Sequence, residues 1–166
     1  INMLAGRGYE VVAVSGKPEA DAYLHEIGAS QILRRQSLDV GSKPMEAALW
    51  AGAIDNVGGE VLTWLTRTMG YGGNIASIGL AASHELHTTV MPFILRGVNL
   101  LGINSVATPR ELRLAVWNRL ATDLRPAKLD RIAGKHVSFA ELPAQFDEYI
   151  KGRIIGRTVV RIEKNT

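Results

Sequence analysis

The side chains best suited to chemistry lie at residues 9–17, where an apolar run ends in a hydroxyl, a glycine and a cation. The run at residues 11–14 is typical of a β-strand covered on both faces, and nucleotide-binding sheets hold a ribose at the end of such a strand. Ser15 can donate a hydrogen bond, Gly16 allows close backbone approach and Lys17 supplies charge. Proteins that bind NAD usually place a carboxylate there, which the 2′-phosphate of NADP would repel. The pattern predicts an NADPH site; an ordinary strand followed by a polar turn is the alternative that these residues leave open.

The composition limits the classes of protein to consider. With 166 residues, 46% apolar and 21% charged, the chain suits one domain with a hydrophobic core and fits neither disorder nor a membrane span. The net charge of +3 is mild, and Arg34-Arg35 is the only adjacent basic pair, so nucleic-acid binding is not indicated. The absence of cysteine excludes disulfides and cysteine-ligated zinc and is compatible with a reducing cytoplasm, where we expect the protein to act on a small molecule.

Strand-like and helix-like segments alternate along the chain. This order predicts an α/β fold with a doubly wound, mostly parallel, Rossmann-like sheet, and ligands in such sheets bind at the carboxyl ends of the strands. The predicted strands lie at residues 11–14, 31–33, 51–57, 74–78, 98–103, 136–138 and 158–162. The predicted helices lie at residues 18–27, 61–69, 91–95, 109–124 and 144–150.

Four strings of residues also resemble one family. They are VAVSGK at 12–17, WAGAIDNVGG at 50–59, TTVMPFILR at 88–96 and GRT at 156–158. By these strings the chain is similar to the NADPH-dependent acryloyl-CoA reductase group of the medium-chain dehydrogenase/reductase superfamily, whose members are often named zinc-independent quinone oxidoreductases. The WAGAID and MPFILR strings are the most specific of the set.

The resemblance implies that the chain is the C-terminal portion of a polypeptide about twice as long. A catalytic domain would come first. The first strand and the glycine-rich loop would lie just upstream of Ile1, because no G-x-G-x-x-G string occurs here. Residues 1–166 would then form a nucleotide-binding domain that lacks its first strand, and residues 1–6 would end the helix after the glycine-rich loop. The segment from about residue 135 to residue 166 is expected to return to the catalytic domain.

The resemblance also implies a phosphate-binding role for four residues. Ser15, Gly16 and Lys17 would hold the adenosine 2′-phosphate. Arg35 would join them, because a guanidinium can pair bidentately with a phosphate. The alternative for Arg35 is a solvated loop arginine, and we interpret its neighbour Arg34 as a surface residue.

Four further positions match cofactor-lining residues of the family. Leu80 would place backbone against the nicotinamide side, and Ile94 and Ser105 would line the cofactor. Arg157 would lie near the bound dinucleotide. Core packing for Ile94, a turn hydroxyl for Ser105 and a water-exposed arginine at the start of a strand for Arg157 are the alternatives.

The implied reaction is the reduction of acryloyl-CoA to propanoyl-CoA. NADPH would deliver hydride to the β-carbon of the unsaturated thioester, and the enolate would be protonated at the α-carbon. The groups that assist would come from the preceding domain, so no catalytic residue is predicted here. A quinone oxidoreductase on the same fold is one alternative, and a non-catalytic module that binds or senses NADPH is another.

Other conspicuous residues favour structural roles. Asp55 follows an apolar strand and precedes two glycines, so we expect it to accept hydrogen bonds from loop amides or to cap the next helix. The string HELH at residues 84–87 suggests exposed loop histidines more than a metal site. Trp50, Trp64 and Trp117 are predicted to anchor a core or an interface.

The apolar strand that begins at Val98 and ends at Ile103 predicts assembly. It has the character of an edge strand, and pairing across a two-fold axis would remove its unpaired edge. The corresponding strand of the superfamily pairs in this way, so the resemblance implies a homodimer.

Overall fold

The computed structural model describes residues 1–162 and contains two compact units. The first unit comprises Ile1–Ser37 and the chain from Leu114 onward, and the second comprises Leu38–Arg113. The end of the C-terminal segment predicted at 135–166, residues 163–166, lies outside the described part of the chain.

Short helices and strands alternate, as the sequence predicted. The helices are α1 (Asn2–Ala5), α2 (Asp21–Glu26), α3 (Gly59–Thr68), α4 (Met91–Arg96), α5 (Arg110–Ala121), α6 (Leu129–Ile132) and α7 (Phe146–Ile150). The strands are β1 (Val12–Ser15), β2 (Gln31–Arg34), β3 (Trp50–Asp55), β4 (Met69–Ser77), β5 (Asn99–Gly102), β6 (Lys135–Ser138) and β7 (Thr158–Arg161). Single 3₁₀ turns lie at Pro18–Ala20, Arg35–Ser37 and Leu142–Gln145.

All strand pairs among residues 1–162 are parallel. In the first unit β1 pairs with β2 and β6 with β7, and in the second unit β4 lies between β3 and β5. Parallel neighbours require a crossover, and a helix follows β1, β3, β4 and β6 before the paired strand begins. The predicted α/β class with parallel, Rossmann-like pairing is confirmed, and the four pairs form three separate sheets.

The core of the second unit is built on α3 and β4. Leu62 and Trp64 of α3 are buried, and Met69 and Ile75 of β4 have no exposed surface. Trp50 meets Trp64 edge to face, with ring centroids 5.7 Å apart and planes inclined at 63°, a favoured aromatic geometry. The prediction that these two tryptophans anchor a core is confirmed.

Strand β4 begins earlier than the sequence predicted. The sequence predicts a strand at 74–78, whereas β4 starts at Met69, directly after α3. Its register against β3 shifts between Trp50 and Gly52, and Gly72 has φ +66°. Glycine adopts that conformation without steric cost, so β4 continues through an irregularity in its pairing. In the sequence, the same glycines look like the end of one element and the start of another.

Helix α5 buries none of its residues. Leu112, Leu114 and Val116 are exposed, and Trp117 is 64% exposed. Trp117 therefore lies outside the core, and its predicted alternative role as an interface anchor stays a prediction. The apolar residues of α5 are spread around the helix and form no single apolar face. No helix within residues 1–162 is long and apolar enough to cross a membrane.

Ion pairs link the helices and strands of the first unit. Arg34 of β2 forms a two-pronged pair with Asp21 of α2. Arg131 of α6 holds Glu26 of α2 in the same way, with Nε 2.6 Å from Oε1. The hydrogen bond from Arg34, aided by its charge, lowers the pKa of Asp21, and the bond from Arg131 lowers the pKa of Glu26.

Replacing Arg34 with Met is expected to raise the pKa of Asp21 toward its ordinary value of 3.8. Because the folded-state pKa lies below the unfolded value, the pair's contribution to stability is complete above that value and is lost as the pH falls through the folded-state pKa. An NMR titration of the Asp21 carboxyl carbon in wild type and variant measures the shift. The titration of Glu26, whose partner is unchanged, is the control, and an Asp21 titration that did not move would contradict the pairing.

Candidate functional site

The end of β1 forms a tight polar turn. The backbone N–H of Lys17 donates to Ser15 Oγ over 3.1 Å, a local turn that serine favours. The hydroxyl acts as the acceptor in this bond, so its own proton remains available to a ligand. Ser15 also stands opposite Arg34 in the parallel ladder, which places the start of the 3₁₀ turn after β2 beside the end of β1.

Arg35 lies against Gly16, and its predicted phosphate role stays a prediction. A Cβ added to Gly16 would stand 3.4 Å from Arg35 Nη2 and 2.9 Å from Gln36 Nε2. Gln36 also donates from Nε2 to the Gly16 carbonyl over 3.2 Å. Gly16 is therefore the residue that lets these side chains approach the turn, and the structure brings Ser15, Lys17 and Arg35 together around it.

The two neighbouring arginines have different surroundings. The guanidinium of Arg34 is occupied by the Asp21 carboxylate, whereas no ion pair within residues 1–162 involves Arg35. Arg34 is half-buried and Arg35 is exposed. The positive charge left for a ligand therefore belongs to Arg35 and Lys17. Arg34, interpreted from the sequence as a surface residue, is half-buried and bound to Asp21.

Lys17 reaches the C-terminal part of the first unit. Its Nζ donates to the carbonyl of Ile154 over 2.7 Å. Arg157 follows in the same connection to β7, where its backbone N–H donates to Ile132 O over 2.7 Å and its Nη1 donates to the Gly156 carbonyl over 3.2 Å. The exposed side chain of Arg157 is thus on the segment that contacts Lys17.

Sequence reasoning missed Gln36 and Ile154. Gln36 follows Arg35 directly, but a neutral loop amide carries no recognisable pattern. Ile154 acts through its backbone carbonyl, 137 residues away from Lys17. No signal in the sequence could have identified that contact.

In the second unit, Leu80 lines an open cleft at the carboxyl end of β4. Leu80 is 67% exposed, and the cleft is also lined by Gly58, Ser77 and Gly79. A Cβ on Gly79 would stand 2.5 Å from Asn56 O. Glycine is therefore required where the end of β4 passes the end of β3, and the backbone next to Leu80 is held close to the cleft.

Asp55 organises the wall of this cleft. Only 2% of its surface is exposed. Its carboxylate accepts the N–H of Val57 over 3.1 Å and the N–H of Gly58 over 3.0 Å to Oδ2. The expected structural role is confirmed: Asp55 fixes the turn that leads into α3.

Ile94 and Ser105 lie on separate segments of the second unit. Ile94 is 72% exposed on α4, which excludes core packing. Arg96 holds that helix in place by donating from Nη1 to the carbonyls of Arg67 and Met69 over 3.0 and 3.1 Å. Ser105 lies in the turn after β5, where its carbonyl accepts from Arg113 Nη2 over 3.0 Å. Both side-chain positions are accessible to a ligand.

The histidine-rich string has no metal-site geometry. His87 Nε2 lies 3.0 Å from Glu85 Oε2, and both side chains are exposed. Residues 1–162 contain no group of three or more histidine, aspartate or glutamate side chains arranged to hold a metal ion.

The sequence matches known proteins along its whole length. The family described as zinc-binding dehydrogenase matches residues 1–122. The acrylyl-CoA reductase AcuI of Ruegeria pomeroyi is 43% identical over 161 residues, which cover 96% of this chain and 48% of AcuI. YhfP of Bacillus subtilis, provisionally named a quinone oxidoreductase, is 43% identical over 163 residues, which cover 98% of this chain and 49% of YhfP.

Solved structures match the fold as closely. The yhdH oxidoreductase of Salmonella enterica, crystallised with NADP, superposes with a TM-score of 0.91 at 43% identity and covers 98% of this chain and 49% of its own. YhfP, crystallised with NAD, gives 0.91 at 43% identity and covers 97% and 49%. The chain spans about half the length of these relatives. The resemblance drawn from the four strings is confirmed, and the chain belongs to the zinc-binding dehydrogenase family.

Proposed function

We propose that this chain is the nucleotide-binding half of an NADPH-dependent oxidoreductase. The proposed reaction is reduction of the activated double bond of a 2-enoyl-CoA, acryloyl-CoA to propanoyl-CoA, in the cytoplasm. The name of the Ruegeria relative supports the substrate class. The relatives from Salmonella and Escherichia coli were crystallised with NADP and NADPH, which supports NADPH as the cofactor, and the one from Bacillus was crystallised with NAD.

The turn at the end of β1 carries the proposal for NADPH. Gly16 lets the side chains of Arg35 and Gln36 approach the turn, and the Ser15 hydroxyl keeps its own proton for a ligand. Lys17 and Arg35 supply two cations that no carboxylate within residues 1–162 neutralises. A ribose 2′-phosphate brings a dianion with oxygen acceptors, which suits this set of donors. The carboxylate next to the turn, Asp21, is already bound to Arg34.

The other predicted residues would bind and orient the rest of the cofactor. When bound, NADPH would supply the hydride that adds to the β-carbon of the thioester. The backbone at Leu80 and the exposed side chain of Ile94 would position the nicotinamide end, and Ser105 and Arg157 would contact the dinucleotide. Groups that stabilise the enolate oxygen and exclude water would come from the preceding domain, and we assign no catalytic residue to this chain.

The cofactor and the reaction are tested on the full-length protein. Isothermal titration calorimetry should show tighter binding of NADPH than of NADH, and NADPH oxidation should depend on added acryloyl-CoA. A preference for NADH, or no binding of either cofactor, would refute the proposal. Binding of NADPH without turnover of any acceptor would favour a sensing module instead.

A quinone oxidoreductase is the second candidate, favoured by the name of the Bacillus relative. The two functions differ in the substrate cleft, to which the preceding domain would contribute. Comparing kcat/KM for acryloyl-CoA and for 1,4-benzoquinone with the same enzyme separates them.

We also propose a homodimer formed through β5. Among residues 1–162, β5 has β4 as its strand partner, and Leu101 and Ile103 are exposed beside the free edge. Replacing Leu101 with Lys should shift the full-length protein from dimer to monomer, because a lysine on an edge strand opposes pairing. Sedimentation equilibrium measures the change. The control is Tyr71→Lys, at an exposed position of β4; a wild-type monomer would contradict the proposal.

A further inference from the structure

The contact between Lys17 and Ile154 joins the candidate phosphate site to the segment between α7 and β7. The Lys17 ammonium donates one of its three protons to the Ile154 carbonyl. Two protons remain for a second acceptor, so this contact is compatible with binding a phosphate. A lysine side chain has a flexible four-carbon stem and loses conformational entropy when a ligand immobilises it. Because the Ile154 carbonyl already holds the Lys17 ammonium, less of this entropy is lost when the phosphate binds.

The segment itself is fixed at both ends. At its C-terminal end, the N–H of Arg157 donates to Ile132 O over 2.7 Å, and a Cβ on Gly156 would stand 2.9 Å from the same carbonyl. At its N-terminal end, Arg153 Nε pairs with Glu148 Oε2 of α7 over 2.8 Å. The Ile154 carbonyl is therefore presented by a segment anchored to α6 and to α7.

We propose that residues 152–157, here named the Ile154 loop, are a positioning element for the 2′-phosphate subsite. The loop orients the Lys17 ammonium through the Ile154 carbonyl and thereby sets the preference for NADPH over NADH. This inference rests on the proposed function, because it concerns how a distant segment of the chain positions Lys17 within the same cofactor site.

Two glycines of the loop provide a matched test. Gly152 and Gly156 have φ +67° and +75°, so alanine incurs a similar backbone cost at both positions. A Cβ at 152 meets nothing within 4 Å, whereas at 156 it meets Ile132 O. In the full-length protein, Gly156→Ala should lower the ratio of NADPH affinity to NADH affinity roughly 2- to 10-fold, the cost of one more side chain to immobilise. Any effect of the neighbouring Arg157 on the shared dinucleotide should change both affinities alike. Gly152→Ala should change neither.

A double-mutant cycle shows whether the loop acts through Lys17. In a Lys17→Ala background, Gly156→Ala should cause no further change in the ratio of NADPH affinity to NADH affinity. A change in the ratio that persists in that background, or an equal loss for NADH and NADPH, would overturn the inference. If wild type prefers NADPH and Lys17→Ala lowers the preference while Gly156→Ala leaves it unchanged, only this inference fails. If wild type shows no preference, the proposed function fails with it.

A second variant loosens the loop without adding atoms. Glu148→Ala removes the anchor of Arg153 at an exposed position of α7, where alanine is a good helix former. The variant also removes a negative charge, which by itself would favour binding of an anion. We therefore expect NADPH affinity to fall roughly twofold, the low end of the range for one released side chain. This loss would show that the Ile154 loop has become more mobile, whereas a gain in affinity would contradict the inference.

Discussion

The double variant Lys17→Ala/Arg35→Ala is expected to bind NADPH roughly 100-fold or more weakly than wild type, since a charge-assisted contact to phosphate contributes about 1.5–3 kcal/mol and two are removed. NADH has no 2′-phosphate, so its affinity should change little. Calorimetric titration of the full-length protein with each cofactor measures both constants. Each single variant should show part of the effect.

The double variant Arg34→Ala/Asp21→Ala is the matched control for this experiment. It removes the neighbouring arginine together with the carboxylate that its guanidinium binds, so no unpaired carboxylate is left beside the turn. The preference for NADPH should survive in this variant. Equal loss of NADPH and NADH in the Lys17→Ala/Arg35→Ala variant would contradict the assignment, since it would mean that these side chains hold the turn together instead of recognising the phosphate.

Replacing Asp55 with Ala is expected to lower the free energy of unfolding by about 3–5 kcal/mol, because two loop N–H groups lose a charged acceptor inside the protein. The carboxylate is 2% exposed, so water cannot readily take its place. Urea-induced unfolding followed by circular dichroism measures the change. The linked loss of order in the turn before α3 should also weaken binding of any ligand in the adjacent cleft.

Glu60→Ala is the control for Asp55→Ala. Glu60 lies in the first turn of α3 and is exposed, so it shares the sign of charge and the location but not the buried hydrogen bonds. The control should cost less than about 1 kcal/mol. If the two variants were equally stable, Asp55 would have no special part in fixing the turn.

The positions of the strands along the sequence were predictable because they depend on local patterns of residues. Apolar runs that end in small or polar residues gave β1 and β3 to within a residue or two, and the Asp55-x-x-Gly58 spacing predicted a carboxylate that accepts loop amides. The grouping of Ser15, Gly16 and Lys17 follows from adjacency. Arg35 joins them because β1 and β2 are parallel and end at the same edge.

What could not be predicted depends on contacts between distant segments. The exposure of Trp117 on α5 depends on which segments pack against that helix, which the sequence does not show. The early start of β4 depends on pairing with β3 through an irregular register at Trp50. The hydrogen bond from Lys17 to Ile154 uses a backbone carbonyl, which every residue possesses, so no side-chain pattern marks it.

The different surroundings of the three tryptophans supply an optical probe. Trp50 and Trp64 pack against each other, whereas Trp117 is 64% exposed on α5. Iodide quenches indole emission only on contact, so it should act mainly on Trp117, and the emission that remains should come from the packed pair. Fluorescence from a Trp117→Phe variant would then follow the integrity of the second unit's interior during unfolding, without an attached dye.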